Sequence, residues 1–117
     1  TMRLGAYPCR VLPDTRCADI YGRDLVLERH RHRWEYNNDY REQLEKAGLT
    51  SAGVYESVGL VEVVELSDRP FHLGVQYHPE YKSKPLAAHP LFQEFVGAAI
   101  AHMGEASPNT TTESIEA

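Results

Sequence analysis

Residues 71–80 read FHLGVQYHPE, and the chain continues as YKSKP to Pro85. An apolar run closes on His78, and Pro79 and Glu80 follow at once. Strand alternation puts Phe71, Leu73, Val75 and Tyr77 on one face and His72, Gly74, Gln76 and His78 on the other. His78 then stands at the carboxyl end of a strand, where open sheets with helices on both faces place their ligand sites. Pro79 ends the strand and restricts the turn. Glu80 can return to the imidazole, fix one tautomer and stabilise its cation, which is what the acid of a nucleophile–His–acid triad does. A surface turn carrying a His and an unrelated Glu is the plain alternative, and three residues alone do not exclude it.

Upstream of this stretch, SAGVYE (51–56) and LVEVVEL (60–66) read as strands bounded by Gly59 and by Ser67-Asp68-Arg69-Pro70. Strands in such close succession are antiparallel neighbours, because parallel ones need a long crossover. MRLGAYPCRVL (2–12) is a further strand ending at the Pro13-Asp14 turn, edged or interrupted at Pro8. CADIYG (17–22) allows one helical turn, stopped by Gly22. DLVLERHRHRWEYN (24–37) is extended, and NNDYREQLEKAG (37–48) is helical. Asn38 or Asp39 is placed to cap that helix, with Glu42 completing a capping box and Gly48 the stop. HPLFQEFVGAAIAHMG (89–104) is the clearest helix, with Pro90 at its first position. Leu91, Phe92, Phe95, Val96, Ala99 and Ile100 form its apolar stripe. The small, polar, acidic residues of 104–117 read as a disordered tail after one domain over 1–103.

Composition narrows the function. A chain of 117 residues with 42% hydrophobic and 25% charged residues is one ordinary globular domain. A net charge of -5 argues against a general binder of nucleic acid or of anionic membranes. No apolar run approaches the ~20 residues of a membrane span, and no signal-peptide pattern opens the chain. The two cysteines, Cys9 and Cys17, are too far apart for a CxxC motif and read as free thiols in a reducing cytosol.

The base and acid at 78 and 80 need a nucleophile. A reactive Cys or Ser in such a site sits on a glycine-flanked elbow of the G-x-[SC]-x-G kind. Neither Cys9 nor Cys17 has those glycines, and no serine does. A second constellation, ERHRHRWEYNN (28–38), alternates Arg29, Arg31 and Arg33 with His30, His32 and Trp34. Three guanidiniums on one face repel unless they meet carboxylates or phosphates. A solvated or Glu-paired edge strand is the plain reading. His30 and His32 form an i, i+2 pair, but no carboxylate or Cys stands at a supporting spacing, so no metal is expected.

The motifs TMRLGAYPC, ERHRHRWEYNN, QYHPEYKSKP and HPLFQEF, in this order, resemble the carboxyl-terminal half of the class I glutamine amidotransferase domain of the CTP synthase family. The resemblance covers Thr1 to about Met103. Trp34 and Tyr77 depart from the family's usual Tyr and Phe but stay aromatic. The resemblance implies an α/β, flavodoxin-like class I amidotransferase domain, of which this chain carries mostly the strand-rich second half with a carboxyl-terminal helix. It implies that the nucleophilic Cys lies upstream of TMRLG, outside this chain. His78 would be the general base and acid, Glu80 its orienting partner and Arg33 a glutamine-binding residue. Arg3 lies in a segment associated with activation by GTP. The family makes CTP from UTP, ATP and glutamine in the cytoplasm as a homotetramer. Its ATP and magnesium belong to a synthetase domain, so no cofactor is expected in this chain. The glutaminase part of another class I enzyme, such as one making GMP, and a non-catalytic truncated binding module are the alternatives.

Overall fold

The computed structural model describes residues 2–116, with side chains described for residues 2–104. Five strands form one sheet in the order β2-β1-β3-β4-β5, with β1 at Arg3–Val11, β2 at Leu25–His32, β3 at Leu49–Tyr55, β4 at Leu60–Leu66 and β5 at Leu73–Val75. Every pairing among them is antiparallel, as the short connections require. Three helices complete the α/β fold: α1 at Arg16–Tyr21, α2 at Arg41–Lys46 and α3 at Pro90–Glu116. The acidic tail expected over 104–117 lies, beyond Gly104, outside the residues whose side chains are described.

The sheet curls because its two hairpins share little pairing. β1 and β2 match over eight residue pairs, from Arg3↔His32 to Arg10↔Leu25. β1 and β3 match only at Arg10↔Val54 and Val11↔Gly53. The register of β3 against β4 shifts around Gly53, which bends the sheet there. The far edge then returns to the near one. The Gln76 amide donates to Glu62 O on β4, and two residues on the His78 amide donates to Arg29 O on β2. Tyr77, between them, is buried inside the curl.

Cys9, Val11, Cys17, Val26, Ala52, Val63, Tyr77 and Leu91 form the core. α1 covers it, started by Thr15, whose hydroxyl accepts from the Ala18 amide, and stopped by Gly22 at φ 66°. Gly53 is demanded by packing. A Cβ there would lie 2.8 Å from both Cys9 Sγ and Val63 Cγ2.

Two sequence expectations are corrected, and the α3 stripe is apolar as expected but largely without cover. The segment from Asp24 is a strand only to His32, so Trp34 does not join the buried face of His30 and is 86% exposed. The cap before α2 is Asn37, which accepts from the Asp39 amide and starts a 3-10 turn at Asn38–Tyr40. Asn38 instead donates to Gly59 O. In α3 only Leu91 of the apolar stripe is buried, while Phe92, Phe95, Val96 and Ile100 are exposed. Beyond Leu91 in the core, the stripe meets Phe71, in the loop before β5, which contacts Phe95.

Two outcomes follow from this packing. Gly53→Ala is expected to lower stability by about 1–3 kcal/mol through overpacking, read as a shifted denaturant midpoint. The isolated chain is expected to bind a dye specific for apolar surface and to melt at a midpoint that depends on its concentration, because the α3 stripe lacks cover. A sharp transition that is independent of concentration, with no dye bound beforehand, contradicts this.

Candidate functional site

The strand read over 71–78 is regular only at Leu73–Val75, so His78 stands beyond the end of β5, at the start of the turn that places the acid–base pair. Pro79 opens a 3-10 turn at Pro79–Tyr81, closed by the Tyr81 amide donating to His78 O. The turn brings Glu80 Oε2 to 2.9 Å from His78 Nδ1. The carboxylate accepts from Nδ1–H, which leaves the Nε2 lone pair free. The His78 side chain is 37% exposed, and the Tyr81 ring stacks on it with centroids 5.0 Å apart. The hydrogen bond from His78 holds Glu80 below the usual carboxylate range. Tyr81 also lines an open cavity of about 690 Å³ with Leu4, Arg29 and Arg31.

Because the His78 amide is bonded to Arg29 O, the pair stands against the arginine strand. Alternation holds along that strand: Arg29 and Arg31 are exposed, Glu28 and His30 are buried, and His32 is half-buried. Arg33, just past the strand, is exposed and has no ion-pair partner among the described residues.

Neither cysteine is available as a nucleophile. Both are free and buried, and burial pushes each thiol up to about 12. A thiolate at neutral pH needs the opposite surroundings. The described residues thus supply a base and an acid and no activated thiol.

The class I glutamine amidotransferase family model matches residues 1–98. The chain belongs to that family. It is 57% identical over 102 residues to a CTP synthase of Flavobacterium psychrophilum, covering 87% of this chain and 19% of that protein. It is 55% identical over 106 residues to the Rubrobacter xylanophilus CTP synthase, covering 91% of this chain and again 19% of the relative. A solved structure of the Trypanosoma brucei CTPS glutaminase domain with bound acivicin superposes with a TM-score of 0.82 at 38% identity, covering 86% of this chain and 40% of that one. The chain therefore spans about a fifth of the curated relatives it matches.

Inside the curl of this amidotransferase chain lies a charged network that sequence spacing did not reveal. Arg3 donates from Nε to Glu35 Oε2 at 2.9 Å and from Nη2 to Glu35 Oε1 at 2.8 Å. The same Nη2 reaches Glu62 Oε1 at 2.6 Å. The guanidinium lies over the rings of Tyr7 and Tyr55, 4.9 and 5.2 Å from their centroids. His30 Nε2 is 3.7 Å from Glu62 Oε2, and His30 Nδ1 is 2.8 Å from His32 Nε2. His30, His32 and Glu62 thus present a possible set of metal ligands, with one atom from each within 4.8 Å of the others. Arg3 already occupies one oxygen of Glu62, and the two imidazoles are turned toward each other. A second buried cluster ties Glu28 Oε2 to Tyr21 OH at 2.5 Å and to His89 Nε2 at 2.6 Å. His89 Nδ1 accepts from the Leu91 amide, so the ring proton is on Nε2 and is donated to Glu28.

One signal for these buried acids was in the sequence. Glu62 and Glu65 stand three apart in one strand, so alternation puts them on opposite faces. Both are buried. Glu65 accepts from the Arg16 and Cys17 amides at the start of α1, while Glu62 faces Arg3.

The histidines give the network a pH signature. Burial, then the charge of Arg3, lowers His30 from 6.5 to about 4, and burial lowers His32 in the same direction. Below pH 6.5 the unfolded chain gains protons that the folded chain refuses, so stability falls as the pH drops from about 6.5 toward 4. Burial raises Glu62 above its usual 4.5, an opposing effect that is felt near and above that value. Denaturant midpoints at pH 7 and 5 should show the loss, and His30→Gln should flatten it. Equal midpoints at the two pH values contradict the assignment.

Proposed function

We propose that this chain forms the acid–base half of the glutaminase site of a CTP synthase. The observation that carries the reading is the His78–Glu80 pair, bonded through Nδ1 with Nε2 free, in a chain so similar to CTP synthases. A cysteine from sequence outside this chain gives its Sγ proton to His78 Nε2, and the thiolate adds to the side-chain carbonyl of glutamine. The imidazolium, oriented and stabilised by Glu80, returns the proton to the departing nitrogen, and ammonia leaves a glutamyl thioester. Water then gives a proton to Nε2 and its oxygen to the thioester, which releases glutamate and regenerates the thiol.

Arg33 has its charge free at the end of β2 and would seat the carboxylate of glutamine. The ammonia would pass to UTP activated by ATP and Mg²⁺ in the remainder of a cytoplasmic homotetramer. Activation by GTP through Arg3 would be indirect, since that guanidinium is spent on two carboxylates.

The isolated chain is expected to release no ammonia from glutamine. Grafted into a complete CTP synthase in place of the matching segment, it should support glutamine hydrolysis. There His78→Ala should lower kcat by about 10²–10⁴-fold. Arg33→Ala should raise KM roughly 10–100-fold, the worth of one charged hydrogen-bonding contact. Ammonia release by the isolated chain that disappears on alkylating Cys9 or Cys17 overturns the reading.

A further inference from the structure

The loop that carries Arg33 is anchored on both sides to a single residue. On its amino-terminal side, His32 is the last residue of β2 and pairs with Arg3 across the ladder. On its carboxyl-terminal side, both oxygens of Glu35 are held by the Arg3 guanidinium. Residues 33–37 belong to no strand or helix, so these two attachments define where the Arg33 backbone sits.

Arg3 is itself held on several sides. Its side chain is 11% exposed, bonded to the fully buried Glu62 and covered by Tyr7 and Tyr55. A two-pronged guanidinium–carboxylate contact fixes the plane of both partners as well as their separation. Burial pushes the Glu35 carboxyl up, but the hydrogen bond and charge of Arg3 outweigh it and hold the group below its usual range, so the contact is intact at neutral pH.

We infer that Arg3 and Glu35 form a clamp that positions Arg33 for the carboxylate of glutamine, which makes both of them positioning residues of the glutaminase site. The inference rests on the reading of Arg33 as the glutamine seat. It gives the TMRLG segment a direct mechanical tie to substrate binding: β1 holds the loop through a side chain as well as through the ladder. Releasing the clamp leaves Arg33 chemically intact but no longer preorganised, so the loss falls on substrate binding and spares the chemical step.

Glu35 is the residue to change, because Arg3→Ala would strand the buried Glu62 charge and unsettle the fold. Glu35→Gln leaves Arg3 paired with Glu62. In the grafted enzyme, Glu35→Gln should raise KM for glutamine about 10-fold with kcat within about 3-fold of the parent. In an Arg33→Ala background the same change should add nothing, because its effect passes through Arg33. In the 117-residue chain, amide hydrogen exchange at 33–36 should be faster in Glu35→Gln than in the parent, a readout that needs no activity. Unchanged exchange, a loss in kcat with KM unaltered, or full additivity with Arg33→Ala overturns the clamp while leaving the glutamine seat standing. An Arg33→Ala variant with unaltered KM removes the seat itself, and the clamp with it.

Discussion

A guanidinium shared by two carboxylates inside a curled sheet is the constraint on which this structure turns. Arg3 comes from β1, Glu62 from β4 and Glu35 from the loop after β2, so three separate parts of the chain meet at one charge. Removing one member of a buried charged group costs about 3–5 kcal/mol, because it leaves the others uncompensated. Total domain stability is only about 5–15 kcal/mol. The network therefore punishes any arrangement in which the β1–β2 hairpin and the β3–β4 hairpin fail to close on each other. The few backbone pairs between β1 and β3 could not enforce this closure, and the shared ion can.

The same economy explains the polar character of the interior. Val63, Cys9 and Tyr77 supply apolar contact, but Glu28, Glu62, Glu65 and His30 are buried beside them. Each acid has a defined task. Glu65 satisfies two orphan amides at the start of α1, Glu28 joins Tyr21 to His89 ahead of α3, and Glu62 anchors Arg3. These acids link elements distant in sequence, much as hydrophobic contacts do in a larger core. They are also directional and so fix the register of the parts they join.

Local features were legible in the sequence, and features made by closure were not. The strands at 2–12, 51–56 and 60–66, the stop at Gly22 and the start at Pro90 depend on neighbours along the chain, and the structure has them. The His78–Glu80 contact spans two residues and a proline, so it too could be read. Trp34 was misplaced because alternation was carried beyond His32, where the strand has already ended. Arg3 was read only through the resemblance, since its partners stand 32 and 59 positions away. The helical stripe from Leu91 to Ile100 was read correctly as apolar, but periodicity does not say what covers a face, and the surroundings of α3 leave most of this one exposed.

The position of the acid–base turn follows from the curl rather than from its own sequence. His78 and Arg33 lie at the ends of different elements, and nothing along the chain brings them together. The His78 amide bond to Arg29 O lays the segment after β5 along the edge of β2, the strand that leads to Arg33. That bond forms only if β4 and β5 have folded back toward β2, which is the closure that Arg3 and Glu62 reward. The buried ion thus acts on both halves of the proposed site. It favours the curl that seats His78 beside the arginine strand, and through Glu35 it restrains the loop on which Arg33 stands. Groups drawn from opposite edges of one sheet can keep a fixed separation only if the sheet is held shut, and here the holding group is a largely buried guanidinium bonded to both of its carboxylates.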